Sequence, residues 1–136
     1  MEISKNTSIN FYRNLGKLFY AIAVADGAVR DAEYTKLKDM VKDEWLNVDH
    51  IEDSFGTDTA YQIEIVFDWL YSEQPDANSC FVDFISFKKE HQSLFTDEIK
   101  DLILKTAGAI ASAFCGVNKA ELIMLAKIDM EFKRSK

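Results

Sequence analysis

The stretch AIAVADGAVRDAE, residues 21–33, recurs in altered form as AIASAFCGVNKAE at residues 109–121. Seven of the thirteen aligned positions are identical. Each copy starts as an alanine-rich helix, passes through a short corner and leads into a second helical segment. The recurrence predicts two degenerate helix–corner–helix repeats. We expect the two helix pairs to pack against each other about an approximate two-fold axis, because their small residues allow a close approach.

Apolar side chains recur at helical spacing along almost the whole chain, and no stretch alternates as a half-buried strand does. With 136 residues, 48% of them hydrophobic, the chain is long enough to bury one core. We therefore predict a single all-α domain over residues 1–136. Its six helices are expected at about residues 8–25, 31–46, 58–74, 77–94 and 97–114, and from 118 onward.

Residues that cap or break helices predict several of these boundaries. Pro75 is expected to end the third helix, because proline removes a backbone donor and keeps the preceding residue out of the helical region. Side-chain oxygens can accept hydrogen bonds from the first amides of a helix. The candidate caps for the third, fourth and fifth helices are Thr57 or Asp58, Asp76 or Asn78, and Thr96.

Each predicted helix has a stripe of apolar residues at a spacing of three or four, which we expect to face the core. In the first two helices the stripes are Phe11, Leu15, Leu18, Ile22 and Ala25, then Leu37, Met40, Val41 and Trp45. In the third and fourth they are Tyr61, Ile65, Val66, Trp69 and Leu70, then Phe81, Phe84, Ile85 and Phe87. In the last two they are Leu102, Ile103, Thr106 and Ile110, then Leu122, Leu125, Ala126 and Phe132.

The net charge of −7 argues against a nucleic-acid partner, which would require a concentrated basic surface. The charge is uneven along the chain. Residues 49–101 contain 13 acidic and 3 basic side chains, a net of −10, whereas residues 102–136 contain 3 and 6, a net of +3. The acidic middle is interpreted as a solvated face, and the alternative is a site for a basic partner or for cations.

The cysteines and histidines show no catalytic or metal-binding spacing. Cys80 and Cys115 lie in apolar surroundings, so we expect buried, reduced thiols. His50 and His91 have no partner at metal or triad spacing and are expected at the surface. The N-terminal sequence lacks the apolar core of a secretory signal, and no apolar window is long enough to span a bilayer. A soluble, cytoplasmic protein is expected.

The first copy of the repeat resembles the signature of the TerB-like domain, found in bacterial tellurite-resistance proteins and in some DnaJ-type membrane co-chaperones. In that signature an alanine-rich helix end is followed by Asp-Gly, a hydrophobic residue and a glutamate. The matching residues here are Asp26, Gly27, Val29 and Glu33. The resemblance implies an all-helical fold with two pseudo-symmetric halves, and it extends in pattern over about residues 11–128.

The resemblance also implies that acidic residues from the two corners approach each other and hold a divalent cation, with Ca²⁺, Mg²⁺ and Zn²⁺ as the candidates. The candidate ligands in this sequence are Asp26, Asp31, Glu33 and Glu121. The second copy departs from the signature, because residues 114 and 115 are Phe and Cys where Asp and Gly would stand. A hard cation prefers six or more oxygen ligands, and here one of two symmetric carboxylates is missing.

Helix capping is the alternative role for the same carboxylates. Glu33 would then close a capping box at the start of the second helix. Asp26 would accept hydrogen bonds from the first amides of that helix, since Arg30 at the cap position is a poor acceptor. In the second copy, Asn118 and Glu121 have the capping-box spacing directly.

By analogy with the family, the chain is expected to be a non-catalytic scaffold or sensor module that binds an unidentified protein partner, with a link to tellurite or metal stress. The alternative is a small metal-dependent hydrolase that uses Asp26 and Glu33. That activity would need an open pocket and a general base, and the sequence offers no recognisable base. It also contains no P-loop, dinucleotide-binding fingerprint or HExxH motif.

Overall fold

Six α-helices make up most of the computed structural model, which describes residues 5–25, 31–45, 61–113 and 119–134. The helices are α1 (Lys5–Ala23), α2 (Asp31–Asp43), α3 (Gln62–Glu73), α4 (Ala77–Glu90), α5 (Asp97–Ala111) and α6 (Lys119–Arg134). A short 3-10 helix, Gln92–Leu94, follows α4. Within the described ranges there is no strand, so the predicted all-α domain with six helices is confirmed.

The boundaries between α3, α4 and α5 follow from local chemistry. α3 ends two residues before Pro75, where Gln74 adopts a left-handed conformation (φ 54°) and its amide donates to the carbonyl of Leu70. Asp76, rather than Asn78, is the cap of α4. Its Oδ2 accepts from the amide of Ser79 at 3.0 Å.

Thr96 has the same capping role at α5. Its Oγ1 accepts from the amide of Ile99 at 3.2 Å. The two candidate caps of α3, Thr57 and Asp58, lie outside the described residues. In the structure α3 begins at Gln62, and Tyr61 at its N-cap position makes no side-chain cap hydrogen bond.

α1 is the central helix, and it contacts each of the other five. Its wide apolar face is fully buried, while Asn10 and Arg13 on the remaining side are exposed. Its closest neighbours are α3 and α4. At Gly16 the backbones of α1 and α3 approach so closely that a Cβ atom would lie 2.8 Å from the carbonyl oxygen of Ile63.

α1 and α2 form an antiparallel helix pair. Trp45, just after α2, contacts the ring of Tyr12 in the first half of α1, with centroids 6.4 Å apart. At the other end of α2, Tyr34 stacks on Phe67, whose ring also contacts Tyr20 near the end of α1. Residues early in α1 therefore lie near the end of α2, and residues late in α1 lie near its start.

α5 and α6 form a second antiparallel pair. The amine of Lys100, in the first turn of α5, lies 6.0 Å from the ring centroid of Phe132, near the end of α6. The two predicted helix pairs are therefore present, one near each end of the chain. Both corner loops lie outside the described residues. The two-fold relation between the pairs stays a prediction.

α1 and α5 run in the same general direction. Phe11, in the first half of α1, packs against Phe95, just ahead of α5, with centroids 5.5 Å apart. Trp45 links Phe19, further along α1, to Thr106 in the middle of α5. Both helices consequently end toward the same side of the domain, which is the geometry the predicted pairing of the corners requires.

The predicted inward stripe of α3 is wrong in part. The helix buries Ile63, Phe67 and Leu70, and exposes Tyr61, Ile65 and Trp69, three of the five residues expected in the core. The reason is that α3 has apolar residues on two faces. Spacing alone does not decide which face packs against α1.

The predicted stripe of α6 is also partly wrong. Met124, Ile128 and Phe132 are buried, and Leu125 is partly buried. Leu122, expected in the core, is exposed, and Ala126 is exposed as well. The stripes of α1, α2 and α5 do face the core. In α4, Phe84 and Phe87 are buried, while Phe81 and Ile85 are partly buried against the same cluster.

Candidate functional site

The four predicted cation ligands are only partly within the described residues. Asp26 lies outside them, and Glu121 belongs to α6 with its side chain outside the description. Asp31 and Glu33 both lie in the first turn of α2. Asp31 is exposed, whereas Glu33 is only 2% exposed. The structure therefore places two of the four ligands and leaves their assembly with the other two a prediction.

Asp31 and Glu33 point to different sides of α2. Two residues along an α-helix rotate a side chain by about 200°, which agrees with one carboxylate in solvent and the other in the interior. Glu33 is thus the described residue that fits a buried ligand or cap role. Within the described ranges, no group of three or more His, Cys, Asp or Glu side chains is arranged to hold a metal ion.

The alanines that precede each corner are packed as their size suggests. Ala21 and Ala23 at the end of α1, and Ala107 and Ala111 in α5, are essentially fully buried. α1 and α5 are in direct contact. The close approach of these helices brings the two halves of the chain into one core.

The described cysteine and histidine contribute to packing. Cys80 is a free, buried thiol, as expected, and burial raises its pKa above the ordinary value, which disfavours the reactive thiolate. The His91 ring lies 4.4 Å from that of Phe87, at the end of α4, and is partly buried. Cys115 and His50 lie outside the described residues.

A stripe of exposed apolar side chains runs along α3. It consists of Tyr61, Ile65 and Trp69, spaced by four residues, and we call it the α3 stripe. Ile65 is 57% exposed and Trp69 60% exposed. The opposite face of the same helix packs against α1 and completes the core. α3 is therefore packed into the core by its opposite face alone, and the α3 stripe takes no part in that packing.

Carboxylates border the α3 stripe on both edges. Helical geometry places Glu64 and Asp68 along one edge and Glu73 along the other. α3 itself contains no Lys or Arg. Burial raises the pKa of Glu64, an effect that the nearby Lys38 opposes. Asp68 makes a side-chain hydrogen bond with Tyr34 of α2.

One basic group on α1 also reaches this region. Arg13 Nε donates to the Oε1 of Gln62, in the first turn of α3, at 3.1 Å. The Arg13 side chain therefore lies on the same side of α3 as Glu73. Arg13 and Lys38 are thus cations at the margins of an otherwise acidic helix surface.

A second exposed apolar stripe runs along α6. Its residues are Leu122, Ile123, Ala126 and Met130, which we call the α6 stripe. Leu122 is 61% exposed and Met130 62% exposed. Both would have been buried if α6 packed on the face that its leucines suggest. The core instead takes the methionine–isoleucine–phenylalanine face of this helix.

The charges beside the α6 stripe differ in sign from those beside the α3 stripe. Helical geometry places Lys127 and Lys133 next to the α6 stripe, and both are exposed. The two acidic residues of the described part of α6 are engaged with lysines. Asp129 pairs with Lys133 at 3.1 Å, and Glu131 lies 3.5 Å from the amine of Lys88.

Lys88 is a buried charge that sequence analysis did not identify. Its side chain is 1% exposed, between α4 and α6, and Glu131 is its ion-pair partner. Burial lowers the pKa of Lys88, and the carboxylate of Glu131 opposes that shift. The pair ties α4 to α6 by a charged contact inside the fold.

An open groove of about 300 Å³ lies between α5 and α6. Its charged lining residues are Asp97, Lys100, Asp101, Asp129 and Lys133. Carboxylates and amines of opposite sign are interspersed there. The groove therefore concentrates neither sign of charge, and it does not provide an isolated acid–base pair.

The sequence analysis did not predict the exposed stripes. Apolar spacing indicates that a helix is amphipathic, but it does not indicate which of its faces the other helices cover. A signal was nevertheless present in α3. Large apolar residues lie on two nearly opposite sides of it, Ile63, Phe67 and Leu70 on one, and Ile65 and Trp69, with Tyr61 at the N-cap, on the other. A helix with two apolar faces is either enclosed or left with one face exposed.

No protein-family model, curated protein or solved structure matches the chain. The resemblance to the TerB-like family consequently depends on the two corner sequences. None of the helices in the described part of the chain has the length and apolar character needed to cross a bilayer.

Proposed function

We propose that this protein is a non-catalytic scaffold or sensor module of the TerB-like type, and that it binds a protein partner through the α3 stripe. The observation that supports the proposal is the exposure of Trp69 and Ile65, with Tyr61, along one face of a helix whose other face is already packed. Tryptophan and tyrosine are enriched among the residues that dominate binding energy at protein interfaces.

The energetics favour a partner at this position. Apolar surface removed from water contributes roughly 25 cal/mol per Å², and the three residues form a continuous row. Grouped exposed apolar side chains mark interaction surfaces more often than isolated ones do. The carboxylates along both edges supply a polar rim that keeps the free protein from indiscriminate association.

A site-specific photo-crosslinker tests this proposal. Benzoylphenylalanine in place of Ile65 is expected to trap a discrete partner in cells, since the ring would lie inside the interface. The matched control places it at Ser86, an exposed residue of α4. A product of defined mass from position 65 alone supports the proposal. Equal labelling from both positions, or none from position 65, overturns it.

The proposal includes a divalent cation at the Asp26 corner, with Glu33 and Glu121 as further ligands. Its support is the resemblance together with the burial of Glu33 at the start of α2. Asp31, which faces solvent, could join only an ion held at the outer side of that turn.

Calorimetric titration with Ca²⁺, Mg²⁺ and Zn²⁺ tests the cation. Binding to the wild type that is lost in Asp26→Ala supports a role for the corner. The absence of heat with all three ions leaves capping as the role of these carboxylates and leaves partner binding by α3 unaffected. A phosphatase and esterase screen with added metals is expected to give no turnover, and turnover would instead support the hydrolase.

A further inference from the structure

We infer that the occupant of the α3 stripe is the α6 stripe of a second copy of this chain. The inference rests on the proposed function, because it names the partner of the same surface. Two unpartnered apolar stripes on one molecule, each with a different charge border, are the observations that carry it.

The two stripes match in length. Tyr61 to Trp69 and Leu122 to Met130 each cover eight residue steps, which correspond to about 12 Å along a helix axis. The α3 stripe has a spacing of four throughout, and in the α6 stripe Leu122, Ala126 and Met130 have the same spacing with Ile123 beside them, so each forms a ridge that fits beside another helix. Large aromatic side chains on α3 face smaller and more flexible ones on α6, including Met130, which adapts readily to the shape of a partner.

The charges at the borders are complementary. The α3 stripe lies between Glu64, Asp68 and Glu73, with Arg13 and Lys38 at its margins, so its border is net negative. The α6 stripe lies beside Lys127 and the Lys133–Asp129 ion pair, so its border is net positive. A contact of α3 with α6 therefore brings unlike charges together at the rim. A symmetric contact of α3 with α3 would bring carboxylates against carboxylates, which is unfavourable. The net charges of the two borders therefore favour the α3–α6 combination over α3 with α3.

The same molecule cannot satisfy its own stripes. α3 and α6 each use the opposite face for the core of their own chain, so both stripes point outward. If α3 of each molecule meets α6 of the other about a two-fold axis, the contact closes in a dimer. If it is made once per pair, it forms a larger ring or an open chain. In each case a molecule without one of the two stripes cannot associate with copies of itself.

Three double variants test the inference. Ile65→Ser with Trp69→Ser removes the α3 stripe, and Leu122→Ser with Met130→Ser removes the α6 stripe. The control, Val82→Ser with Ser86→Ala, changes an exposed apolar residue of α4 outside both stripes. All substituted side chains are exposed, so circular dichroism and thermal unfolding are expected to confirm that each variant folds.

Sedimentation velocity over a range of concentrations gives the readout. The wild type and the control are expected to form dimers or larger species as the concentration rises. Each stripe variant alone is expected to stay monomeric, with the association constant lowered by about tenfold or more. An equimolar mixture of the two stripe variants is expected to form a one-to-one dimer and nothing larger, because each retains the surface that the other lacks.

Other results overturn the inference in distinguishable ways. A wild type that stays monomeric at every concentration excludes self-association. If the α6 variant alone still dimerises, the contact is a symmetric α3 pair. If the crosslinker at position 65 traps a different protein, the proposed function holds while the second copy is excluded. If it traps nothing and the wild type is monomeric, both proposals fail.

Discussion

The indole Nε1 of Trp45 donates a hydrogen bond to the Oγ1 of Thr106 at 3.0 Å, inside the core. The Thr106 hydroxyl in turn donates to the carbonyl oxygen of Leu102, one turn earlier in α5, at 2.8 Å. The bond connects the end of α2 to the middle of α5, residues 61 positions apart in sequence. It satisfies two buried polar groups at the point where the two halves of the chain meet.

Replacing Thr106 by Val is expected to destabilise the protein. The change keeps the shape of the side chain and leaves the buried indole N–H without an acceptor, which costs about 1–3 kcal/mol. The free energy of unfolding from urea titration measures it. Ser112→Ala is the control, since the Ser112 hydroxyl makes a similar bond to Gly108 at the surface. That loss is expected to stay within about 0.5 kcal/mol, and equal losses for the two variants would contradict a specific role for Thr106.

Gly16→Ala is expected to destabilise the protein by about 1–3 kcal/mol, because the added methyl group would lie 2.8 Å from the Ile63 carbonyl oxygen and force α1 and α3 apart. Gly108→Ala provides the matched control. A Cβ there meets no atom within 4 Å, so alanine is expected to stabilise α5 by about 0.5–1 kcal/mol. Thermal unfolding of both variants measures the difference. If they shifted in the same direction, the described α1–α3 contact would be wrong.

Lys88→Met is expected to destabilise the protein by about 2–3 kcal/mol, since it leaves Glu131 in a largely buried position without its partner. The double variant, Lys88→Met with Glu131→Leu, is expected to recover to within about 1 kcal/mol of the wild type, because apolar side chains replace both charges. A double-mutant cycle by urea titration measures the coupling. No recovery in the double variant would show that the two residues act independently.

Asp76→Ala is expected to cost about 1 kcal/mol, because it removes the acceptor for the Ser79 amide at the start of α4. Asn78→Ala is the control. Asn78 was the other candidate cap in the sequence, and the structure places it in the first turn of α4. Its replacement is expected to change the stability by less than about 0.5 kcal/mol. The opposite ranking would assign the cap to Asn78.

Glu64→Gln is expected to change the pH dependence of stability. Burial raises the pKa of Glu64 above its ordinary value of 4.5, so the folded state binds this proton more tightly than the unfolded state. The associated stability is present below 4.5 and is lost as the pH rises through the raised value. Glutamine removes this loss, and the variant is expected to gain on the wild type as the pH rises above 4.5.

Urea titrations at several pH values test that sign. Glu73→Gln, an exposed position on the same helix, is the matched control, and its stability is expected to follow that of the wild type more closely. A wild type that gains on Glu64→Gln as the pH rises would contradict a carboxyl group destabilised by burial.

Several helix boundaries of this fold could be predicted from the sequence because they depend on local interactions. Pro75, Asp76 and Thr96 act within one helical turn of their own positions, so the end of α3 and the starts of α4 and α5 could be predicted. The stripe of α1 was correct because that helix has one wide apolar face, and its polar residues Asn10, Arg13, Asn14 and Lys17 all lie on the other side. The cation site is a different case, since its evidence in the sequence is a resemblance and two of its four ligand side chains lie outside the description.

The tertiary structure alone decided the faces of α3 and α6 and the burial of Lys88. In α3 two apolar faces compete, and the close approach of its backbone to Gly16 selects one of them. From the sequence alone Lys88 would be expected at the surface. In the structure α6 covers it, and Glu131 lies 3.5 Å from its amine. The physical reason is common to both. Helical spacing and capping depend on neighbours within four residues, whereas the choice of a buried face depends on which distant helix packs there, and no local pattern contains that information.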